Sequence, residues 1–383
     1  MGRRRAGPDQ RLPWLRPLLL VCSGLALVAC GEDVSTPTPI RLGVIVDVSG
    51  PSASLGIAGR NGMQLAVEEA NANGGIQGRP IELLYRDDGF DPQQAKRAAE
   101  ELIAAKVDAA LGPMTSTIAE QLAPQFTAAG ILLMGATPLS PLLAGRDDQF
   151  FRTLSHTNPD ARDIVTHLQQ QYGLRRVNVI IELSNHTFTR PWLVDFEQHL
   201  RSAGGTIDAV VEFNRDPETD FAALAQRALA NQPAAVVLVS SALDTALLAT
   251  QLRQRDPELK LATPGWAAAD ALLEMGGRAV EGIITAQSFD MNDQSKAFVD
   301  FKQRYQARFA QGIDTAAITA YNATRVLLEA LQQRLPGEQP KQTLLRIRKF
   351  QGLQHLIVFD DFGDSDSRLY PMVVRDGRFR SLD

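Results

Sequence analysis

The sequence predicts an α/β protein built as two lobes, each around a doubly wound parallel sheet. Three observations lead there. Short apolar runs alternate with amphipathic segments from Pro39 onward, and that alternation comes in two successive sets. At 383 residues the chain also exceeds what a single hydrophobic core usually holds. Strands separated by helical patterns need crossover connections, and those make neighbouring strands parallel.

The elements can be taken in order. "IRLGVIVD" at 40–47 is a buried strand, and in the next segment Met63, Ala66, Val67 and Ala70 share one helical face until "NGG" at 73–75 stops it. "IELLYRDD" follows as a strand. In "DPQQAKRAAEELIAAK" Asp91 is placed to cap a helix, Pro92 stands at its first position, and Ala95, Ala98 and Leu102 share a face. "VDAALG", a helix ending at Gly130, and "ILLM" complete the first set. The second opens at "NPDARDIVTHLQQQYG"; its strands are "VNVIIE", "TIDAVVEF" and "AAVVLVS", with helices at 192–203 and 242–255 between them. After "GIITAQSFD" come two long helices, roughly 293–310 and 315–335. The end, "HLIVFDDFGDSDSRLYPMVVRDGRF", is expected to form two strands joined by an acidic turn.

The N-terminus has a different logic. Arg3, Arg4, Arg5, Arg11 and Arg16 precede an apolar run at 18–28. A bilayer-spanning helix needs about 20 apolar residues, so this run suits a signal peptide instead. It ends in "LVAC", which resembles a bacterial lipobox, cut before Cys30 and lipidated there; an ordinary secretory signal with an accidental cysteine is the other reading. Residues 1–29 are therefore expected to be a lipoprotein signal peptide, and the polar, Pro-rich stretch 30–39 a tether. The other cysteine, Cys22, would leave with the signal, so no thiol would remain for a disulfide, metal or nucleophile. The net charge is −5, and −9 without residues 1–29; what then remains has no basic tract, which argues against nucleic acid as a partner.

Further motifs carry a resemblance. The stretch "VSGPSASLGIAGRNGMQLAVEEANANGGIQGRPIELLYRDDGFDPQQAKRAAEELI" resembles the leucine/isoleucine/valine-binding proteins, the type I periplasmic solute-binding proteins of ABC importers. "GPMTST", "FFRTLSHTNPDAR", "AGGTI", "TDFAAL", "GRAVEGI" and the closing "FDDFG…RDGRF" extend it, in order, across nearly the whole mature chain. The resemblance implies two Rossmann-like lobes joined by three crossovers, near 154–158, 286–289 and 353–361. The N-terminal lobe would take 40–155 plus 287–351, and the C-terminal lobe 156–286 plus 352–383.

The loop "DVSGPSASLG" lacks the G-x-G-x-x-G spacing of a dinucleotide loop, and no G-x-x-x-x-G-K-[ST] occurs. It is either a cleft wall, with Ser49 to Leu55 near the solute, or a turn that needs Gly50 and Pro51 for its backbone. Ser116 and Thr117 stand where a strand ends and a helix begins, a geometry that serves an anion and a helix cap equally. In the family the serine matching Ser116 holds the solute carboxylate. Elsewhere the pattern is broken: the carboxylate-binding threonine becomes Leu139, with Thr137 a displaced substitute, and the second-lobe tyrosine becomes Phe188. The acid that receives an amino group falls on Gly265. The expected solute therefore lacks a free α-amino group or uses another acid, with Asp244 the first candidate. Trp266 either stacks on the solute or packs between helices.

The five histidines have no metal-ligand spacing, and no G-x-S-x-G elbow occurs, so neither an enzyme nor a cofactor is expected. The sequence points to a lipid-anchored envelope protein that binds a small amino-acid-like or carboxylate-bearing solute and hands it to ABC permease subunits in the membrane. The alternative is a regulatory envelope lipoprotein working through a protein partner, which a large exposed apolar patch would favour.

Overall fold

The computed structural model describes residues 37–155 and 159–382. The signal segment, Cys30 and most of the tether lie outside the described residues. β1 (Ile40–Val46), α1 (Ala53–Ala72), β2 (Ile81–Asp87), α2 (Pro92–Ala104), β3 (Ala109–Leu111), α3 (Ser116–Ala129), β4 (Leu133–Gly135) and β5 (Phe150–Arg152) build the first sheet and its covering helices. Its strand order is β2-β1-β3-β4-β5, and every pairing is parallel.

β1 shows why its sequence is apolar from Leu42 onward. Leu42, Val44 and Val46 face a core shared with α1, whereas Ile45 faces a second core shared with α2 and α3. A strand covered on both sides has no polar face. Asp91 caps α2 as its position predicts, accepting a hydrogen bond from the Gln94 N–H at 2.7 Å.

The second set comprises α4 (Pro159–Tyr172), β6 (Arg176–Glu182), α5 (His186–Ser202), β7 (Thr206–Phe213), α6 (Phe221–Ala228), β8 (Ala235–Val239), α7 (Ala242–Arg255), β9 (Lys260–Ala262), α8 (Asp270–Gly276) and β10 (Ile284–Gln287). The chain then returns to the first lobe in α9 (Lys296–Phe309), α10 (Thr315–Gln332) and α11 (Pro340–Ile347). Phe298, Phe301, Tyr305 and Tyr321 of α9 and α10 enter the core beneath α1. The chain ends in β11 (Lys349–Gln351), β12 (Leu356–Val358), β13 (Tyr370–Arg375) and β14 (Arg378–Ser381). The second sheet runs β14-β13-β10-β9-β8-β6-β7, with β10–β13 and β13–β14 antiparallel and the other pairs parallel.

Three expectations need correction. Helix α5 begins at His186, six residues before the predicted start, and runs through Pro191. The long helix expected to reach 335 ends at Gln332, and α11 follows it as a separate helix. The closing segment is not one hairpin with an acidic turn: β12 pairs with β11, and β13 pairs with β10 and β14. Its true hairpin turn is Asp376-Gly377, both with φ above +50°. A two-residue turn with both φ values positive matches the twist of its strands, and Asp-Gly supplies that cheaply. The acidic stretch instead carries the third crossover. Leu353, Ile357 and Phe359 pack in the first-lobe core, so the passage to the second lobe comes after Phe359 rather than at 352.

At the C-terminal ends of β1 and β2, Asp47, Asp87 and Asp88 lie together. Burial, with the charges of Asp47 and Asp87 added, pushes the Asp88 carboxyl up to about 7. Folded protein therefore holds a proton that the unfolded chain releases near pH 4, and the stability this gives is lost as pH rises through about 7. Thermal melts are expected to show wild type less stable at pH 8 than at pH 5.5, with a smaller difference in Asp88→Asn. Equal slopes for the two proteins would refute the assignment.

Candidate functional site

The C-terminal ends of parallel strands are where open α/β sheets place their ligand sites, and here those ends from both sheets meet around one cavity. Its empty volume is about 820 Å³ with the mouth included. On the first-lobe side β3 leads through Gly112, at φ +95°, into α3; a Cβ on Gly112 would stand 2.0 Å from the Ile45 carbonyl oxygen. Only glycine fits so close a backbone, and the turn delivers Ser116 to the cavity wall.

Ser116 is not the cap of α3. That position belongs to Thr115, whose side chain makes no capping bond. Ser116 Oγ instead accepts the backbone N–H groups of Leu139 (3.2 Å) and Ser140 (3.3 Å). With both lone pairs engaged, the serine proton is what remains to donate. Thr137 also lines the cavity, but its hydroxyl donates to the Met114 carbonyl, so its proton is already spent. Leu55 and Leu139 add apolar wall. The rest of the loop before α1 is tied back by Asp47, which accepts the N–H groups of Ser49, Gly50 and Ser52. A Cβ on Gly50 would meet the Gly89 carbonyl oxygen at 2.3 Å. The loop is thus a turn built for its backbone, and of the expected stretch 49–55 only Leu55, in the first turn of α1, reaches the wall.

The second lobe supplies the facing wall. Phe188, in the first turn of α5, meets Trp266 edge to face at 5.8 Å. Trp266 lies in a short 3₁₀ turn, Gly265–Ala267, packed on the second-lobe core while one side lines the cavity. Asp160, near the start of α4, lines it too. Its Oδ1 accepts the Trp192 indole N–H and its Oδ2 the Gly265 N–H, both at 3.0 Å. Burial pushes this carboxyl up from its ordinary range.

Two predicted residues lie elsewhere. Asp244 is buried in the first turn of α7, where the Arg215 guanidinium stands 2.8 Å away as a charge contact without hydrogen-bond alignment. It is absent from the cavity wall. Thr117 is also absent from that wall and joins the lobes beside it. Its N–H donates to Asn185 Oδ1 (3.1 Å), and its hydroxyl oxygen accepts the Thr187 N–H (3.2 Å). Thr187 Oγ1 then donates to Glu120 Oε2 at 2.6 Å. These bonds cross from α5 to α3 and hold the lobes together at one edge of the cavity. Sequence reasoning missed Asp160 because "NPDA" looks like an ordinary helix start. It missed Thr187 and Glu120 because nothing local marks a contact between lobes.

Among the described residues no group of three or more His, Cys, Asp or Glu side chains is placed to hold a metal. No described helix is long and apolar enough to cross a membrane. A family model described as periplasmic binding protein matches residues 39–364. The chain belongs to the periplasmic binding protein family. Members bind solutes for transporters and are not enzymes, and the family's place is outside the cytoplasm. A Leu/Ile/Val-binding protein of Rhizobium johnstonii is 25% identical over 297 residues, 77% of this chain and 79% of its own length. The leucine-binding protein LivK of Thermotoga maritima superposes with a TM-score of 0.81 at 23% identity, over 90% of this chain and 98% of that one. An ABC transporter solute-binding protein of R. palustris in complex with benzoate gives a TM-score of 0.80 at 18% identity, over 90% and 95%. Both structures share the two-lobed α/β fold.

Proposed function

We propose that this family member is the extracytoplasmic, lipid-anchored solute-binding component of an ABC importer. It closes on a small amino-acid-like or carboxylate-bearing solute and delivers it to permease subunits. The observation that carries the reading is the cavity between the lobes, with apolar side chains on both walls and the unspent Ser116 proton at the start of α3. A helix N-terminus concentrates positive potential, and a hydroxyl donor there suits a carboxylate. The solutes named for the similar proteins, leucine, isoleucine, valine and benzoate, all join a carboxylate to an apolar body.

Closure requires that the solute favour the closed state by touching both lobes. A solute at 100 times its Kd should add about 2.7 kcal/mol of stability. The test is a thermal-shift screen of carboxylates and amino acids, followed by X-ray scattering of each hit. A hit that stabilises the protein and makes the particle more compact is expected; stabilisation without compaction for every hit would sink the closure reading.

The anchor has its own test. In a bacterial host, Cys30→Ala is expected to give uncut precursor or soluble protein in place of a mature membrane-associated form. Equal incorporation of labelled palmitate by wild type and variant would end the lipoprotein assignment.

A further inference from the structure

The second-lobe wall of the cavity carries a buried hydrogen-bond acceptor that no protein donor meets. Gln287, at the end of β10, is 2% exposed. Its Nε2 donates to the Ala268 carbonyl at 3.2 Å, which fixes the orientation of the amide, and its Oε1 is buried without a partner. An unpaired buried acceptor carries its full desolvation cost, so a group of this kind is normally met by a donor. Asp160, 4% exposed, accepts the Trp192 indole N–H on Oδ1 and the Gly265 N–H on Oδ2, and the Ala161 N–H also bonds to this carboxylate; a carboxylate has about four acceptor sites, so capacity for one more donor remains. A Cβ on Gly265 would stand 2.8 Å from the Ala286 carbonyl oxygen and 3.9 Å from Asp160 Oδ2, so glycine lets this turn pack against β10 without covering Asp160. Thr315 Oγ1, at the start of α10 in the facing lobe, also lines the cavity unpartnered. That hydroxyl can donate or accept, and among the described lining residues there is no Lys, Arg or His to serve Gln287 Oε1.

We infer that the solute carries a hydrogen-bond donor, an ammonium or a hydroxyl, which it places on Gln287 Oε1 and Asp160. This rests on the solute-binding reading above and narrows it. Ser116 takes the carboxylate, the Phe188 and Trp266 rings take the apolar body, and the acceptor wall selects for the second polar group. A simple apolar acid leaves Gln287 Oε1 unmet and is rejected on that account. The two donor chemistries differ at Asp160: an ammonium gains from its charge, whereas a hydroxyl needs only an acceptor.

The experiment is calorimetry on the mature chain with ligands matched in carbon skeleton. One set is leucine, 2-hydroxy-4-methylpentanoate and 4-methylpentanoate; the other is 4-hydroxybenzoate beside benzoate. In at least one set a donor-bearing member is expected to bind more than about tenfold tighter than its plain acid. Gln287→Met, which keeps the length of the side chain without its oxygen, should reduce that advantage to about threefold or less. Asp160→Asn should abolish a preference for the amine while leaving most of a preference for the hydroxyl. Plain acids that bind wild type as tightly as their donor-bearing partners would overturn the inference alone, and this comparison does not depend on any variant folding. An advantage unchanged in a folded Gln287→Met would overturn it as well. No binding by any member of either set to folded wild type would overturn the carboxylate reading, and the inference with it.

Discussion

Asp364→Ala is expected to destabilise the folded protein by about 3–5 kcal/mol, the cost of leaving a buried charge without its partner. Arg152, at the end of β5, is fully buried. Its Nε donates to Asp364 Oδ1 at 2.7 Å and its Nη1 to the Ser140 carbonyl at 2.7 Å. Asp364 sits in the third crossover, and its Oδ2 also accepts the Gly145 N–H at 2.8 Å. One carboxylate thus ties the first sheet, the loop after β4 and the crossover together. Burial lowers the Arg152 pKa against the raising effect of Asp364, so deleting the acid removes what keeps the cation tolerable there. Urea unfolding of the two proteins measures the difference. A loss below about 1 kcal/mol would show that water or another group takes over the guanidinium. The double variant Arg152→Met/Asp364→Leu should recover most of the loss, since an apolar pair of similar volume avoids the stranded charge.

Ser116→Ala is expected to weaken carboxylate binding by about ten- to a hundredfold, the range for losing a hydrogen bond to a charged group, 1.5–3 kcal/mol. The hydroxyl has a structural duty too, because it accepts two backbone N–H groups. The two roles separate by measurement. A structural loss lowers the melting temperature of unliganded protein and affects all ligands alike. A lost contact weakens the carboxylates of a panel and leaves their amides much less affected. If acid and amide weaken equally, Ser116 shapes the loop at 139–140 and does not hold the anion.

The sequence made much of this molecule legible. The period of its apolar residues identified most strands and helices, and the Asp91-Pro92 pair located the start of α2. Leu55, Ser116, Thr137, Leu139, Phe188 and Trp266 were all singled out from sequence, and all line the cavity. These features are written locally or in an ordered set of motifs, and each survives folding unchanged. The Asp-Gly turn at 376–377 was equally local and was overlooked in favour of the acidic stretch before it.

What the sequence could not decide was partnership. Thr137 has a hydroxyl on the wall, but the Met114 carbonyl takes its proton. Asp244 is an acid in the right lobe, but Arg215 holds it away from the cavity. Asp160 looks like the opening of a helix, and the fold brings it to Gly265, 105 residues further along the chain. The role of a polar side chain depends on which donors and acceptors reach it. In two lobes linked by three crossovers, strand order and chain return set that, and no spacing along the sequence encodes it.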